Sequence, residues 1–317
     1  MNSITFTCEV VTPMFLAGAD GKTPELRSPS IKGAMRFWWR AMHGHLPIED
    51  KKDGDGDIKK GLKTQEAEIF GGGGEAAKRS GFHLRVLTGV REMAKQGYQP
   101  LPHHTGGNNC IACNANNNRC KKSFEFQSIT GDNFDVKISG ADLEMIENLF
   151  VLTCVFGGFG KRSRRGFGSV KIVKRNDVDF LMPNDLESIY SYLSKFNNDY
   201  QLDHAENKIY LKNPATLNGQ YSEYPYIEEI RIGHDYALAL ELVECIGNSS
   251  HRYQTDSNGC ASPRFSSPMY VSVLKNKGQY YPIITTLHYA PPMGITDKSG
   301  LKSKFKNAIL YKTLSDN

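Results

Sequence analysis

The chain has 317 residues, 39% hydrophobic and 23% charged, with a net charge of +5, a length that suits two domains of about 150 residues each. No apolar run approaches the roughly 18 residues of a membrane span, and the cysteine count, odd at seven with Cys8, Cys154 and Cys245 in apolar runs, argues against a disulfide framework. The modest positive charge names no partner by itself.

The first residues, MNSITFTCEVV, have no basic leader region and alternate polar with apolar over 4–11, which predicts a half-buried strand and a cytoplasmic protein rather than a signal peptide. After a loop over 17–27, Ser28 or Ser30 can cap a helix that accepts Pro29 in its first turn and runs to about residue 43. Ile31, Met35, Trp38 and Met42 form its core stripe. On a wheel of about 100° per residue, Lys32, Arg36, Arg40 and His43 gather roughly 110° away, with Trp39 at the border.

Residues 49–66 are charged and Gly-rich and predict a mobile surface loop. As a calcium loop the segment fails: Asp53, Asp55 and Asp57 fit, but Ile58 stands where glycine is needed and Thr64 where glutamate is needed. Strands are expected over 82–90 and 124–138, then a helix over 141–156 with Ser139 as a cap and Gly157 as its stop. A further strand over 169–173 completes the order strand, helix, strand, strand, helix, strand, that of a ferredoxin-like domain. Beyond residue 176, helices are expected near 184–196, 236–246 and 301–314, and a hairpin joins 269–274 to 280–287.

The most informative stretch is GGFGKRSRRGFG, residues 157–168. It follows a helix and precedes a strand, the reverse of the order in Rossmann and P-loop sites, and contains no G-x-x-x-x-G-K-[ST]. Its glycines, Gly157, Gly158, Gly160, Gly166 and Gly168, let a backbone approach a ligand, while Lys161, Arg162, Arg164 and Arg165 supply phosphate contacts. Phe159 and Phe167 are expected to stack on bases. From Lys161 to Arg175 seven residues are basic and none is acidic.

This glycine-rich stretch, with ELRSPSIKGAMRFWWRA over 25–41 and AEIFGG over 67–72, resembles the RAMP superfamily of CRISPR RNA-binding proteins, and within it the family of Cmr-type first subunits of type III-B effector complexes. RFSSPMYVSVLKNKGQYYPII over 264–284 is similar to that family's second-domain signature. The resemblance implies an α+β chain of two ferredoxin-like (RRM-like, RAMP) domains, 1–175 and a divergent 176–317. It implies a non-catalytic, antiviral-defence subunit that holds the 3′ region of a guide RNA and its duplex with target RNA, beside other Cmr-type subunits, with no membrane and no small-molecule substrate. Lys32, Arg36, Trp39, Arg40, Lys161, Arg162, Arg164, Arg165 and Phe167 become the expected RNA contacts.

Two further signals stand apart. Within 103–120, Cys110, Cys113 and Cys120 with His104 (or His103) form a donor set for a structural zinc ion, which would order a polar insertion too poor in apolar residues to fold alone. His43 and His45, near the end of the first helix, carry the alternative reading, a metal-independent CRISPR RNA-processing endoribonuclease.

Overall fold

A computed structural model describes residues 2–16, 18, 25–52, 54–73, 77–87, 94–98, 102–103, 121–122, 126–128, 133–212, 224–253, 260–261, 264–288 and 300–312. In chain order the main elements are β1 (Ser3–Val10), α1 (Ser28–Met42), α2 (Leu62–Phe70), β2 (Phe82–Val86), β3 (Asn133–Gly140), α3 (Leu143–Phe156), β4 (Val170–Arg175) and β5 (Val178–Asp179). They continue as α4 (Leu186–Leu193), β6 (Tyr200–Asp203), β7 (Lys208–Leu211), β8 (Tyr226–Ile232), α5 (Ala239–Arg252), β9 (Met269–Asn276), β10 (Gln279–His288) and α6 (Leu301–Leu310).

The first sheet has the order β5-β4-β1-β3-β2, with every neighbouring pair antiparallel. The period-two pattern sets its faces: Ile4, Phe6, Cys8 and Val10 of β1 are buried, as are Phe134, Val136 and Ile138 of β3. The second sheet has the order β6-β7-β8-β10-β9. Here β8, α5, β9, β10 and α6 repeat β1, α1, β2, β3 and α3 of the first half, with α2 as an addition to the first half, and β7, which precedes β8 in the chain, takes the place that β4 takes beside β1. This is an α+β architecture of two related sheets.

Helix α3 explains how the halves join. Its residues from Leu149 to Phe156 are all buried, as expected of a helix apolar all round and covered on all sides. It lies against the first sheet on one side and reaches the second on the other, where the Ser272 hydroxyl donates to the Val155 carbonyl at 2.5 Å. One apolar core therefore runs from Phe6 and Trp38 through α3 to Tyr270 and Leu287. A second core, of Leu242, Val243, Ile246, Val271, Ile284, Phe305 and Ile309, fills the other face of the second sheet under α5 and α6.

Several local expectations change. No side chain caps α1: its N-cap is Arg27, and the Ser28 hydroxyl instead accepts the Val86 N–H at 3.3 Å. Asp142, not Ser139, caps α3. The strand expected over 82–90 ends at Val86, and the range expected as one strand over 124–138 holds a short strand, Phe126–Ser128, and the start of a longer one, Asn133–Gly140. The expected mobile loop 49–66 is in fact a small hairpin, Lys51–Lys52 with Ile58–Lys59, leading into α2. Leu62 and Phe70, both buried, anchor that helix and outweigh its charged neighbours.

Candidate nucleic-acid interface

Lys32, Arg36 and Arg40 lie together along α1, as the wheel requires, and each already has an internal partner. The Lys32 ammonium donates to the Ser80 hydroxyl at 2.5 Å and sits 4.5 Å from the Phe82 ring centroid; burial, and then Arg36, lower its pKa. Arg36 donates to the Glu66 carboxylate and, at 2.8 Å, to the Gly71 carbonyl. Arg40 lies 3.3 Å from the other Glu66 oxygen and 4.9 Å from the Tyr224 ring centroid. One carboxylate, on a helix that the sequence pattern hides, thus pairs with two of the three cations. The stripe keeps a net positive charge and a fixed geometry.

Trp39 is not an RNA contact. It is 2% exposed, stacked on His43 with ring centroids 4.2 Å apart and set edge-on to Phe70. Its place at the wheel border did not reveal that α2 closes over that side of α1.

Segment 157–168 is built into the fold more deeply than a hairpin tip. Lys161 pairs with Phe15 in an antiparallel bridge, its N–H donating to the Phe15 carbonyl at 2.8 Å, and the Gly168 N–H donates to the Pro13 carbonyl at 2.9 Å. The glycines serve this self-packing, not the approach of a ligand. At Gly168 (φ 69°) a Cβ would lie 2.0 Å from the Phe159 carbonyl oxygen, and at Gly160 (φ 96°) 2.4 Å from that of Phe15. Phe159 and Phe167, expected to stack on bases, are 1% and 0% exposed. Phe167 packs on Phe15 at 5.0 Å between ring centroids, and both rings sit in the core under α5 and α6. Burying such a ring stabilises by about 1.5–3 kcal/mol, which swinging it out to meet a base would forfeit.

The arginines divide in the same way. Just before Phe167 the loop runs along β9, where the Gly166 N–H donates to the Val271 carbonyl at 2.7 Å and the Val271 N–H to the Arg164 carbonyl at 3.2 Å. The Arg165 guanidinium donates to the Ser250 hydroxyl at 3.0 Å and to the Ser267 hydroxyl and Met269 carbonyl at 3.2 Å each, with Phe305 stacked 5.1 Å away. Desolvation, reinforced by Arg164 and Arg162, draws its pKa down to about 10, so it stays charged at neutral pH. Arg165 ties the two halves together and leaves the set of RNA candidates. Arg164 does both kinds of work: it donates to the Ser267 carbonyl, and its guanidinium lies 4.5 Å from the Tyr270 ring and 5.9 Å from that of Phe37 on α1.

That last contact fixes where the loop meets the helix. Phe37 is about 60° round the wheel from Arg40, with Gly33 between them. Gly33 is exposed, and a Cβ there would touch nothing within 4 Å among the described residues. A strip over Gly33 is therefore flanked on one side by Arg36 and Arg40 and on the other by Arg164, which shares its loop with the partly exposed Arg162 and the exposed Lys161.

The histidines near the end of α1 are poorly placed for acid–base work. The helix stops at Met42, and His43 is stacked on Trp39 with its Nδ1 2.6 Å from the Trp39 carbonyl oxygen. Burial pushes its pKa down to about 4, against the raising effect of that hydrogen bond. Burial lowers that of His45 as well, with Asp199 opposing. The zinc donors Cys110, Cys113, Cys120 and His104 lie outside the described residues; His103 lies on a short strand, Pro102–His103, paired with Lys121–Lys122. Among the described residues no cluster of three or more His, Cys, Asp or Glu is arranged to hold a metal, and no helix is long and apolar enough to cross a membrane.

A family model described as the RAMP superfamily matches residues 7–171, more than half of the chain. The chain is 28% identical over 193 residues to CRISPR system Cmr subunit Cmr1-2 of Pyrococcus furiosus, covering 54% of this chain and 96% of that one. It is 31% identical over 155 residues to Cmr subunit Cmr1-1 of the same organism, covering 48% of this chain and 41% of that one. Among solved structures, Cmr1 from Pyrococcus furiosus in its apo form matches 98% of this chain with a TM-score of 0.54 at 20% identity. A chain of the type III-B Cmr-beta complex bound to cognate target RNA matches 97% with a TM-score of 0.53 at 11% identity. At these identities the structural likeness is one of fold.

Proposed function

This chain belongs to the RAMP superfamily, and from that premise we propose that it is an RNA-binding, non-catalytic subunit of a type III-B (Cmr) CRISPR effector complex. It holds the 3′ region of the guide RNA and the start of its duplex with target RNA, works with other Cmr-type subunits in the cytoplasm, and is organised as RAMP domains over 1–175 and 176–317. The observation that carries this reading is the strip over Gly33, where Arg36 and Arg40 on one side face Arg164 on the other. Cations flanking an open backbone surface suit a phosphate chain, which they hold without reading its sequence. Kinship with the Cmr1 subunits of Pyrococcus furiosus and the shared fold with a chain of an RNA-bound Cmr complex support the same assignment.

The test is an electrophoretic shift assay with single-stranded RNA of guide length, using Lys161→Glu with Arg162→Glu, since Lys161 is exposed and Arg162 partly exposed. The double variant should weaken binding at least tenfold and flatten its salt dependence. Unchanged binding would overturn the assignment. Incubation with labelled repeat RNA in EDTA separates binder from nuclease: the partly buried His43, with its pKa lowered to about 4, favours the binder, and cleavage lost in His43→Ala would favour the nuclease.

We propose in addition that Cys110, Cys113, Cys120 and His104 (or His103) bind one structural zinc ion. The C-x-x-C spacing and the antiparallel pairing of Pro102–His103 with Lys121–Lys122, which sets the two ends of the segment side by side, support it.

A further inference from the structure

Among the described residues nothing requires glycine at position 33. At each of Gly157, Gly158, Gly160, Gly166 and Gly168 a Cβ would lie within 2.8 Å of another atom. Gly33 instead stands in the interior of α1, exposed, without a positive φ, and no described atom lies within 4 Å of a Cβ built there. Glycine is the poorest helix former after proline, because it gives up the most backbone freedom and adds no contact. The fold is therefore less stable with this residue than it would be with alanine, and no described neighbour uses the bare backbone. Such a surface suits the close approach of a molecule from outside.

One turn further along α1, Phe37 borders the bare patch. In a helix an aromatic side chain leans toward the N-terminus, over the residue four positions earlier, which for Phe37 is Gly33. Its ring is partly exposed, whereas Trp38 and Trp39 beside it are buried. Neighbours hold it in place: Trp38 meets it edge-on with centroids 5.2 Å apart, and Tyr270 lies tilted at 5.3 Å. The Arg164 guanidinium is 5.9 Å from the same centroid. A fixed aromatic ring at the surface is a platform for a flat, unsaturated group. The cations around it, Arg36, Arg40 and Arg164, call for negative charge on either side of that group. Together these describe a nucleotide, and its base can reach the helix backbone only when it is splayed out of a duplex.

Resting on the RNA-binding role proposed above, we infer that the Gly33 patch receives one unpaired base. The base lies over the bare turn of α1 against Phe37, and the phosphates that flank it meet Arg36, Arg40 and Arg164. Phe37 is then the stacking residue, a role that the sequence pattern suggests for Phe159 and Phe167, which are buried instead. At this strip the RNA is single-stranded.

Shift assays on the full chain test it with two ligands of equal length and charge, a single-stranded RNA and the same ribose–phosphate chain carrying no bases. The wild type should hold the RNA about tenfold more tightly than the base-free chain, the effect of one stacked base. Phe37→Ala should lower RNA affinity to that for the base-free chain, and Phe37→Tyr should restore the preference. Because Phe37 also packs on Trp38 and Tyr270, Gly33→Leu serves as a second variant. Leucine fills the patch and is a better helix former, so the urea midpoint should stay at or above that of the wild type while the preference for bases is lost. Lys161→Glu with Arg162→Glu should weaken both ligands alike. A wild type that holds both chains equally, or a preference that survives both Phe37→Ala and Gly33→Leu, overturns the stacked base and leaves the phosphate-binding role standing. Failure of the wild type to bind either chain overturns that role and this inference with it.

Discussion

Replacing Arg165 by alanine separates two roles that its sequence context merges. The side chain donates three hydrogen bonds across the joint, to Ser250, Ser267 and Met269, each with a net value of about 1 kcal/mol. The contact with Phe305 adds about 0.5–1 kcal/mol. Against this, the freed chain regains up to about 2 kcal/mol of rotamer entropy that arginine loses on ordering, and Ser267 and Met269 remain bonded to each other. The expected loss is therefore about 2 kcal/mol, visible as a lower midpoint in urea denaturation with little change in slope. RNA affinity of the folded variant should fall by no more than the loss of one distant charge. Arg162→Ala, three positions earlier in the same segment, should do the opposite: a midpoint within about 0.5 kcal/mol of wild type and weaker RNA binding. If Arg165→Ala unfolds like wild type and loses RNA as Arg162→Ala does, the joint has been misread.

Three other expectations follow from the same geometry. Glu66→Gln removes the counter-charge of Arg36 and Arg40; it should destabilise the fold by about 1–2 kcal/mol and, by raising the positive potential over Gly33, tighten RNA binding in filter assays at low salt. His43 is held neutral, with its pKa pushed by burial down to about 4. Its contribution, about 3 kcal/mol for a shift of that size, is complete above the unfolded pKa of about 6.5 and is lost as pH falls toward 4. His43→Gln should flatten the stability profile in that window, and an unaltered profile would contradict the burial. Zinc is tested by elemental analysis: one equivalent per chain in the wild type, and none in the Cys110→Ser, Cys113→Ser variant.

The first sheet was readable from the sequence because each strand has one buried face, so that Ile4, Phe6, Cys8 and Val10 write their period directly into the chain. The hairpin of β9 and β10 was readable for a different reason, the dense apolar runs on both sides of a glycine-containing turn. Helix α2 was hidden by its composition: two anchors, Leu62 and Phe70, hold nine residues that otherwise read as solvated, and Glu66 acquires meaning only when α1 is beside it. The glycine-rich segment misled in part. Arginine and phenylalanine between glycines are equally suited to a nucleic acid and to a packed joint, and only long-range placement against β9 and α5 assigns Arg165 and Phe167 to the joint and leaves Lys161 and Arg162 at the surface.

Strand β9 is the last strand of its sheet, a position that ordinarily leaves backbone donors and acceptors free to template an incoming chain. Here the bonds between Val271 and residues 164 and 166 occupy it from within the same molecule. A neighbouring subunit that added a strand at this margin would first have to peel away the loop that carries Lys161 and Arg162. Self-association by strand addition and correct presentation of the basic loop are thus mutually exclusive, and the glycines that let the loop lie flat against β9 guard against unwanted polymerisation as well as shaping the fold.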